Sequence, residues 1–319
     1  MLKLMLTIGT GCLALAIASL PSSVKAETRQ LQIGETARLA FCLPDFVAKD
    51  KGFYSKHGVD PVVTYVGNPA AAVQQVVGSA FDLAFTTMEV AIRAKDQGAP
   101  ISMVGSTLLL FPHSIVSDSK VKNPPDLKDR RVMMSVPKDA ISAHFLDWLS
   151  KGGVSEKEIE IVYDGATPNR YAALTSGTVA VTVLAQPFDL RATAAGYNKL
   201  MSVAEMMPDV GFYAIVATNS WIEKNATDLD KYISALREAT EWLYDPANRD
   251  EAIRILATNI QSDRETAEQI FDLYVGDIKI FNKDIKVPLS AVEGNLTVLR
   301  RAGAAGAEAS TYVDANYAR

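Results

Sequence analysis

The sequence predicts an α/β protein with two lobes, each a mainly parallel sheet flanked by helices. Short apolar runs alternate with helical patterns over residues 31–104, and such alternation is typical of strands joined through helices. Asn123-Pro124-Pro125 then interrupts the pattern, and a second series of the same kind occupies residues 131–203. From Asp228 onward the pattern is helical. Two alternating series separated by a Pro-rich segment predict two sheets with a groove between them.

In the first series, strands and helices follow one another in regular order. The strands are predicted at Leu31–Ile33, Val62–Val66, Phe81–Phe85 and Ile101–Val104. The helices are predicted at Leu43–Lys51, Ala70–Val77 and Met88–Gln97, and a glycine, which commonly ends a helix, follows each of them.

The second series repeats this order. Strands are predicted at Arg131–Ser135, Ile159–Tyr163, Val179–Leu184 and Leu200–Val203, and helices at Ala140–Leu149 and Phe188–Ala195. A further helix is predicted to start at Pro168 with Thr167 as its cap. In the C-terminal part, Ser262 and Glu265 have the spacing of a capping box for a helix that runs through Phe271.

The composition is that of a globular, mildly acidic chain. Of its 319 residues 48% are apolar and 22% charged, and 32 basic against 37 acidic residues leave a formal net charge of −5. An acidic balance offers no electrostatic surface for nucleic acid or an anionic membrane, so neither is an expected partner. The length is sufficient for two domains with sizeable cores.

The first 26 residues have the layout of a secretory signal. Lys3 precedes an uncharged apolar run over residues 8–20, and Val24-Lys25-Ala26 places small residues at the end of the segment. The run is shorter than the roughly 20 residues of a membrane span. We therefore predict export with cleavage after Ala26. A buried N-terminal helix and a lipoprotein signal at Cys12 are the alternatives.

The sequence carries no motif that predicts catalysis. After cleavage Cys42 would be the single remaining cysteine, either a nucleophile or a small buried apolar residue, and no intramolecular disulfide is expected. His57, His113 and His144 show no metal-ligand spacing with Cys, Asp or Glu. The sequence also lacks a phosphate-binding glycine loop and a nucleophile elbow. Neither a metal nor a cofactor is expected.

The loops after the predicted strands hold the candidate ligand groups, because open α/β sheets bind ligands at the carboxyl ends of their strands. Thr86 and Thr87 precede a helix, where their hydroxyls cap the helix or hold a ligand. Glu89, in the first turn, either complements the helix dipole or faces a ligand amine. Ser142 lies at another helix start, a candidate anion site. Gln186 supplies an amide at a strand end.

Other candidates in these loops are aromatic or basic. Phe212 and Tyr213 are either core or pocket residues. Lys138, Arg170 and Arg191 are the basic residues in or beside the loops of the second series, and each is either solvated or a ligand anchor.

One stretch of the chain closely resembles a known family. The segment 43–54, LPDFVAKDKGFY, followed by Lys56-His57-Gly58-Val59-Asp60, is similar to the nitrate/sulfonate/taurine-type substrate-binding proteins of ABC importers. The relatives of that family include the binders of thiamine-pyrimidine precursors. Weaker matches follow at Phe81-Asp82-Leu83-Ala84, Gly98-Ala99-Pro100, Pro125-Asp126-Leu127-Lys128 and Arg170 with Ala172-Ala173-Leu174, so that the resemblance spans most of residues 31–220.

The resemblance implies a periplasmic binding protein fold of type II. One lobe would contain residues 27–115 and 215–319 and the other residues 118–210, joined by hinge strands near Ser114–Ser117 and Tyr213–Ala217. Together with the loop residues above, it implies the following ligand-binding set: Phe41, Cys42, Thr86, Thr87, Met88, Glu89, Ser135, Ser142, Ala166, Gln186 and Tyr213.

The resemblance also implies a function. The expected protein is a periplasmic, non-catalytic monomer that captures a small organic solute and delivers it to an ABC permease and its ATPase. The solute would be an organic acid, a sulfonate or a pyrimidine-like compound. One alternative is an enzyme on the same scaffold, similar to pyrimidine synthases or sulfinate desulfinases, with Cys42 as nucleophile. Another is an exported ligand sensor.

Overall fold

The computed structural model describes residues 28–137, 139–301, 303 and 306–319. The predicted export signal, residues 1–26, lies outside this range. The strands within it are β1 (Arg29–Glu35), β2 (Val59–Tyr65), β3 (Leu83–Thr87), β4 (Ile101–Gly105), β5 (His113–Ser117), β6 (Arg131–Met134), β7 (Glu160–Tyr163), β8 (Val181–Ala185), β9 (Asn198–Ser202) and β10 (Tyr213–Thr218).

The α-helices of the described residues surround these strands. They are α1 (Leu43–Asp50), α2 (Phe53–Lys56), α3 (Pro69–Val77), α4 (Met88–Asp96), α5 (Ala140–Lys151), α6 (Thr167–Thr175), α7 (Phe188–Ala194), α8 (Val203–Met206), α9 (Asn219–Leu243), α10 (Arg249–Ile260), α11 (Arg264–Phe271) and α12 (Leu289–Arg301). A π-helical turn, Asp272–Asp277, continues α11. Every strand and helix predicted in the two alternating series is present, with its ends shifted by a few residues.

The strands form two five-stranded sheets. The first has the order β2-β1-β3-β10-β4 and the second the order β7-β6-β8-β5-β9. In the first sheet β10 is antiparallel to both of its neighbours, and in the second sheet β5 is. The remaining pairs, β1 with β2 and β3, and β6 with β7 and β8, are parallel. Each sheet is therefore mixed, with one reversed strand among four that share a direction.

The reversed strands follow from the path of the chain between the sheets. Residues 106–112 lead from β4 to β5, and residues 203–212 lead from β9 to β10, so β5 enters the second sheet and β10 returns to the first. These two strands are the ones expected from sequence to act as hinges. The segments that cross between the sheets directly precede them. The lobe boundaries inferred from sequence remain a prediction.

Side chains cap several helices at the positions that sequence preferences favour, and two caps expected from the sequence need correction. Asn68, Thr87 and Asp139 cap α3, α4 and α5 by accepting backbone N–H groups. Thr167 does not cap α6: it is the first helical residue, after Ala166, and its hydroxyl accepts a hydrogen bond from Arg170. The capping box at residues 262–265 is also wrong, because the carboxylate of the intervening Asp263 caps α11.

Helix α12 packs closely against the second crossing segment. The side-chain amide of Asn295 donates hydrogen bonds to the carbonyl oxygens of Gly211 and Ala291, at 2.8 and 2.9 Å. Gly294 has no room for a side chain, because a Cβ there would collide with the carbonyl oxygen of Asp209. The absence of a side chain at this position lets the helix fix the crossing segment.

We expect Gly294→Ala to destabilise the protein, because the new methyl group must displace the backbone of the crossing segment. The free energy of unfolding should fall by about 1–3 kcal/mol, the usual cost of overpacking. The matched control is Gly276→Ala in the π-helical turn, where a Cβ has no neighbour within 4 Å. Urea unfolding followed by circular dichroism measures both variants, and equal stabilities would contradict the close packing described for Gly294.

Candidate functional site

A cavity of about 420 Å³ lies between the two sheets. The residues that line it follow the carboxyl ends of β1, β2, β3, β6 and β7, or begin the reversed strands β5 and β10. Its walls comprise Thr36, Ala37, Leu39, Phe41, Tyr65, Gly67, Asn68, Pro69, Ala70, Thr87, Glu89, Val90, Phe111, His113, Ser135, Val136, Asp139, Ala140, Ile141, Gly165, Ala166, Thr167, Pro168, Arg170, Phe212, Tyr213 and Asn295. Segments that follow strands of both sheets thus contribute to one cavity, as expected for open α/β sheets that face each other.

Aromatic rings form one wall of the cavity. Phe212 is the centre of this group, with its ring centroid 4.8 Å from that of Phe111, 5.0 Å from that of Tyr213 and 5.8 Å from that of Phe41. The imidazole of His113 stands edge-on to Phe212 at 5.1 Å. All four carbocyclic rings are buried. The wall offers flat apolar surface to a ligand.

A buried carboxyl group supports the hydroxyl of Tyr213. Tyr213 donates a hydrogen bond to Oε1 of Glu35, which also accepts the backbone N–H of Thr36 at 2.9 Å. Burial, reinforced by the nearby Asp45, raises the pKa of Glu35 to about 8. Glu35 is therefore largely protonated at neutral pH.

Glu89, on helix α4 of the first sheet's side, accepts a hydrogen bond from helix α5 of the second sheet's side. One carboxylate oxygen forms an ion pair with Arg93 on the same helix, at 2.9 Å, and the other accepts the backbone N–H of Ala140 at 3.0 Å. Ala140 is the first residue of α5, which follows the second sheet's β6. Burial and the charge of Asp139 raise the pKa of Glu89. This carboxylate therefore complements the N-terminus of a helix in the opposite lobe.

Carboxylates of the protein itself accept backbone N–H groups at the start of α5. Asp139 accepts the backbone N–H of Ser142 at 2.6 Å and also accepts the hydroxyl hydrogen of Ser135. With Ala140 bonded to Glu89, the backbone N–H groups of both Ala140 and Ser142 at this helix start already have carboxylate partners. Ser142 itself is buried and its hydroxyl donates to the carbonyl of Val136 at 3.3 Å, so it does not line the cavity.

Arg170 has a different environment, although it too is buried, with 2% of its surface exposed. Its guanidinium donates to the carbonyl oxygens of Val183 and Asp164, both at 2.7 Å, and to the hydroxyl of Thr167 at 2.9 Å. All three acceptors are uncharged. Burial lowers the pKa of Arg170 to about 10, which still leaves it a cation at neutral pH.

Arg191, another basic candidate, does not join Arg170 in the cavity wall. Arg191 lies over the ring of Phe188, 5.4 Å from its centroid, on α7. Lys138 lies outside the described residues.

His113 is neutral, and one of its ring nitrogens has no hydrogen-bond partner among the described residues. Burial, and then the charge of Arg170, lowers its pKa to about 3. Its Nδ1 is a buried polar atom without a hydrogen-bond partner among the described residues. His113 also borders a second cavity, of about 250 Å³, beside the first crossing segment.

The structure brings six of the eleven residues expected at the site into the cavity wall: Phe41, Thr87, Glu89, Ser135, Ala166 and Tyr213. Ser142 and four others do not line it. Thr86 donates its hydroxyl to the carbonyl of Pro69 at 3.1 Å, and Met88 packs in the core behind α4. Whether the six contact a ligand stays a prediction.

Cys42 and Gln186 are the remaining two residues outside the wall. The thiol of Cys42 is buried, donates to the carbonyl of Ala37 at 3.2 Å and has its pKa raised well above the ordinary value by burial. Gln186 donates to Asp189 at 2.7 Å and accepts the hydroxyl hydrogen of Tyr274, so its amide joins α7 to the π-helical turn. It borders the smaller cavity instead.

Several residues of the wall were not anticipated as site residues. Phe111 and His113 lie in or beside the first crossing segment, which carried no loop signal in the sequence. Asn295 comes from α12, over eighty residues beyond the last predicted site residue, and no local pattern marks it. Asn68 and Asp139, which cap α3 and α5, were not among the residues expected at the site either.

Two further features concern metals and membranes. The described residues contain no group of three or more His, Cys, Asp or Glu side chains suited to hold a metal ion. None of the helices in this part of the chain is both long and apolar enough to cross a bilayer.

Comparison with known proteins adds the family to this geometry. The family model described as NMT1/THI5 like matches residues 42–249. The chain belongs to this family.

Individual relatives agree in fold at low sequence identity. A Brucella abortus protein, named as a binding protein, is 22% identical over 264 residues, covering 80% of this chain and 79% of its own length. The periplasmic nitrate-binding protein NrtA of Synechocystis PCC 6803 superimposes with a TM-score of 0.73 at 18% identity, over 92% of this chain and 86% of its own. The alkanesulfonate-binding protein SsuA of Xanthomonas axonopodis pv. citri, bound to MOPS, gives 0.64 at 20% identity, over 77% and 84%. The periplasmic binding protein fold expected from the sequence is confirmed.

We expect Glu89→Ala to loosen the contact between the lobes, because it removes a charge-assisted hydrogen bond worth about 1.5–3 kcal/mol. The amide hydrogen of Ala140 should exchange with solvent about tenfold faster or more, and small-angle scattering should report a larger radius of gyration. The control is Glu293→Ala, which removes an ion pair with Arg300 within one helix. An unchanged exchange rate at Ala140 would contradict the bridging role.

We expect stability to decrease as pH rises from about 5 to 9. A folded-state pKa of about 8 for Glu35 exceeds its ordinary value of 4.5, so the folded state binds more protons in this range. The slope due to this group approaches about 1.4 kcal/mol per pH unit. Glu35→Gln should flatten the decrease above pH 6, measured by thermal unfolding at several pH values.

Asp45 provides the comparison for that experiment. Burial raises its pKa to about 6, so it acts in the same direction at lower pH. Asp45→Asn should therefore flatten the curve mainly below pH 6. A curve for Glu35→Gln that parallels the native one would show that the native Glu35 is ionised when folded.

Proposed function

We propose that this protein is the exported substrate-binding component of an ABC importer, which captures a small organic solute in the cavity between its lobes and delivers it to a membrane permease. The observation that carries the proposal is the enclosed cavity to which both sheets contribute the ends of their strands. The names of its relatives, which describe binding proteins for nitrate and alkanesulfonate, support the same class of function.

The proposed mechanism is closure of two lobes on the ligand. A solute that touches both lobes stabilises the closed form through contacts that the open form lacks. The lobes also meet directly, at the hydrogen bond from Ala140 to Glu89 and at the cavity mouth, where a Cβ on Gly165 would lie 3.8 Å from Nδ2 of Asn68. Closure would present one face of the protein to the permease.

The lobes that we propose are residues 27–115 with 215–319, and residues 118–210. The first contains β1 to β4 and most of β10, and the second contains β6 to β9, while β5, a strand of the second sheet, lies at the boundary between them. The crossing segments 106–112 and 203–212 would bend during closure, and α12, packed on the second of them, would stay with the first lobe.

We also propose that the protein acts in the periplasm and does not catalyse a reaction. The predicted signal at residues 1–26 supports export. The environment of Cys42 argues against its use as a nucleophile, because burial disfavours the thiolate, which is the reactive form.

Ligand-induced stabilisation tests the proposal. The three solute classes expected from sequence, organic acids, sulfonates and pyrimidines, would be screened by thermal unfolding. A ligand at a hundred times its Kd stabilises by about 2.7 kcal/mol and should raise Tm by about 5–10 °C. Small-angle scattering should show a more compact particle for the same ligand.

A blocked cavity provides the matched control. Ala166→Trp fills the space from the wall and should abolish the Tm shift, whereas Ala195→Trp, at an exposed position, should leave it unchanged. A ligand that stabilises both variants equally binds elsewhere, and product formation during the assay would refute a purely binding role.

A further inference from the structure

We propose that the ligand of this cavity is an amphipathic organic anion, with a flat ring as its apolar body and a single carboxylate or sulfonate group that pairs with Arg170. The inference rests on the proposed function and specifies the chemistry of its substrate. Three observations carry it: the unpaired charge of Arg170, the internal pairing of the acids around it, and the aromatic wall beside it.

Arg170 is a buried cation that lacks a neutralising partner at contact distance. Its hydrogen bonds fix the plane of the guanidinium but end on two carbonyl oxygens and a hydroxyl. Among the described residues its guanidinium forms no ion pair with a carboxylate, although the charges of Asp139 and Asp164 act on it electrostatically. A buried charge without a counter-ion is costly, so an anionic group on the ligand would recover energy that water cannot supply in a closed cavity.

The carboxylates of the cavity wall, Glu89 and Asp139, have hydrogen-bond and ion-pair partners without a ligand. Glu89 has Arg93 and the N–H of Ala140 as partners, and Asp139 has the hydroxyl of Ser135 and the N–H of Ser142. A ligand ammonium group would compete with these partners. The cavity therefore favours an anion at Arg170 over a cation at either acid.

The aromatic wall lies next to Arg170 through His113. The imidazole interacts electrostatically with Arg170 and touches Phe212 and Phe111, with centroid distances of 5.1 and 6.3 Å. The neutral imidazole adds no second positive charge to the site. Arg170 and the phenylalanines line the same cavity, so a ring stacked on the phenylalanines and an anionic substituent paired with Arg170 would share one site.

The size of the cavity agrees with a ring-bearing solute. At about 420 Å³ it lies within the range of small-molecule pockets, which is about 300–1,000 Å³. A four-atom inorganic anion would leave most of this space empty and the phenylalanine faces uncovered. Binding energy from the apolar wall is available only to a ligand with apolar surface of its own.

Isosteric ligand pairs test the charge requirement in the native protein. The probes are benzoate with benzamide, and benzenesulfonate with benzenesulfonamide, measured by isothermal titration calorimetry. We expect the charged member of at least one pair to bind ten times more tightly than its neutral isostere, or better. Four further probes lack either the anion or the ring: benzylamine, acetate, nitrate and taurine. Each of them should bind at least ten times more weakly than that charged member.

Two variants assign the effect to the proposed residues. Arg170→Lys keeps the charge and should retain the preference for the anion over the neutral isostere, whereas Arg170→Gln should abolish it. Phe111→Leu should weaken the ring-bearing anion about tenfold and leave its preference over the isostere intact. Circular dichroism shows whether each variant folds. If Arg170→Gln does not fold, the isosteric ligand pairs measured on the native protein still test the charge requirement.

The outcomes separate this inference from the proposed function. Equal or tighter binding of the neutral or cationic probes overturns the ligand class. So does binding of nitrate, taurine or a pyrimidine in place of the ring-bearing anions, although the protein would still be a solute-binding protein. If none of the probes, including those of the general screen, binds at all, the proposed function itself fails.

Discussion

The chain passes twice between its sheets, and this constraint determines where the other features lie. After each crossing the chain enters a sheet from the edge at which the parallel strands end, between β8 and β9 or between β3 and β4, and so runs against its neighbours. The starts of β5 and β10 are thereby placed beside the carboxyl ends of the parallel strands. Phe111, Phe212 and Tyr213 reach the cavity because they are the residues at which these crossings end.

The polar groups around the cavity divide into those that hold the protein together and those that remain available. Glu89 and Asp139 satisfy the N–H groups of α5, and Glu35 satisfies Tyr213. These carboxyl groups keep helix starts and strand ends in place at low solvent exposure. Arg170 combines burial with a charge that no contacting carboxylate of the described residues balances, which distinguishes it from the acids chemically.

Sequence reasoning recovered the fold well and the site only in part. Alternating apolar and helical patterns are local, so the strands and helices of both series were predictable, as was capping of α4 by Thr87. The reversed strands, the interlobe bond of Glu89 and the contribution of Asn295 depend on distant parts of the chain. Gln186 lies outside the cavity wall for the same reason, since its partner Tyr274 lies 88 residues away. Ser262 shows that a cap depends on which neighbouring side chain bonds the free N–H, and Thr167 shows that it depends on the residue at which the helix begins.

The long sequence separation of the contacts around the cavity has a consequence for folding. The hydroxyls of Thr36 and Tyr213 are bonded across 177 residues, and Asn295 approaches the sulfur of Met88 across 207. Such high contact order slows folding, because loops must close before these contacts can form. The first sheet cannot be completed until β10 has been synthesised. Slow folding of this kind would keep a nascent polypeptide unfolded for longer, which agrees with the export proposed above.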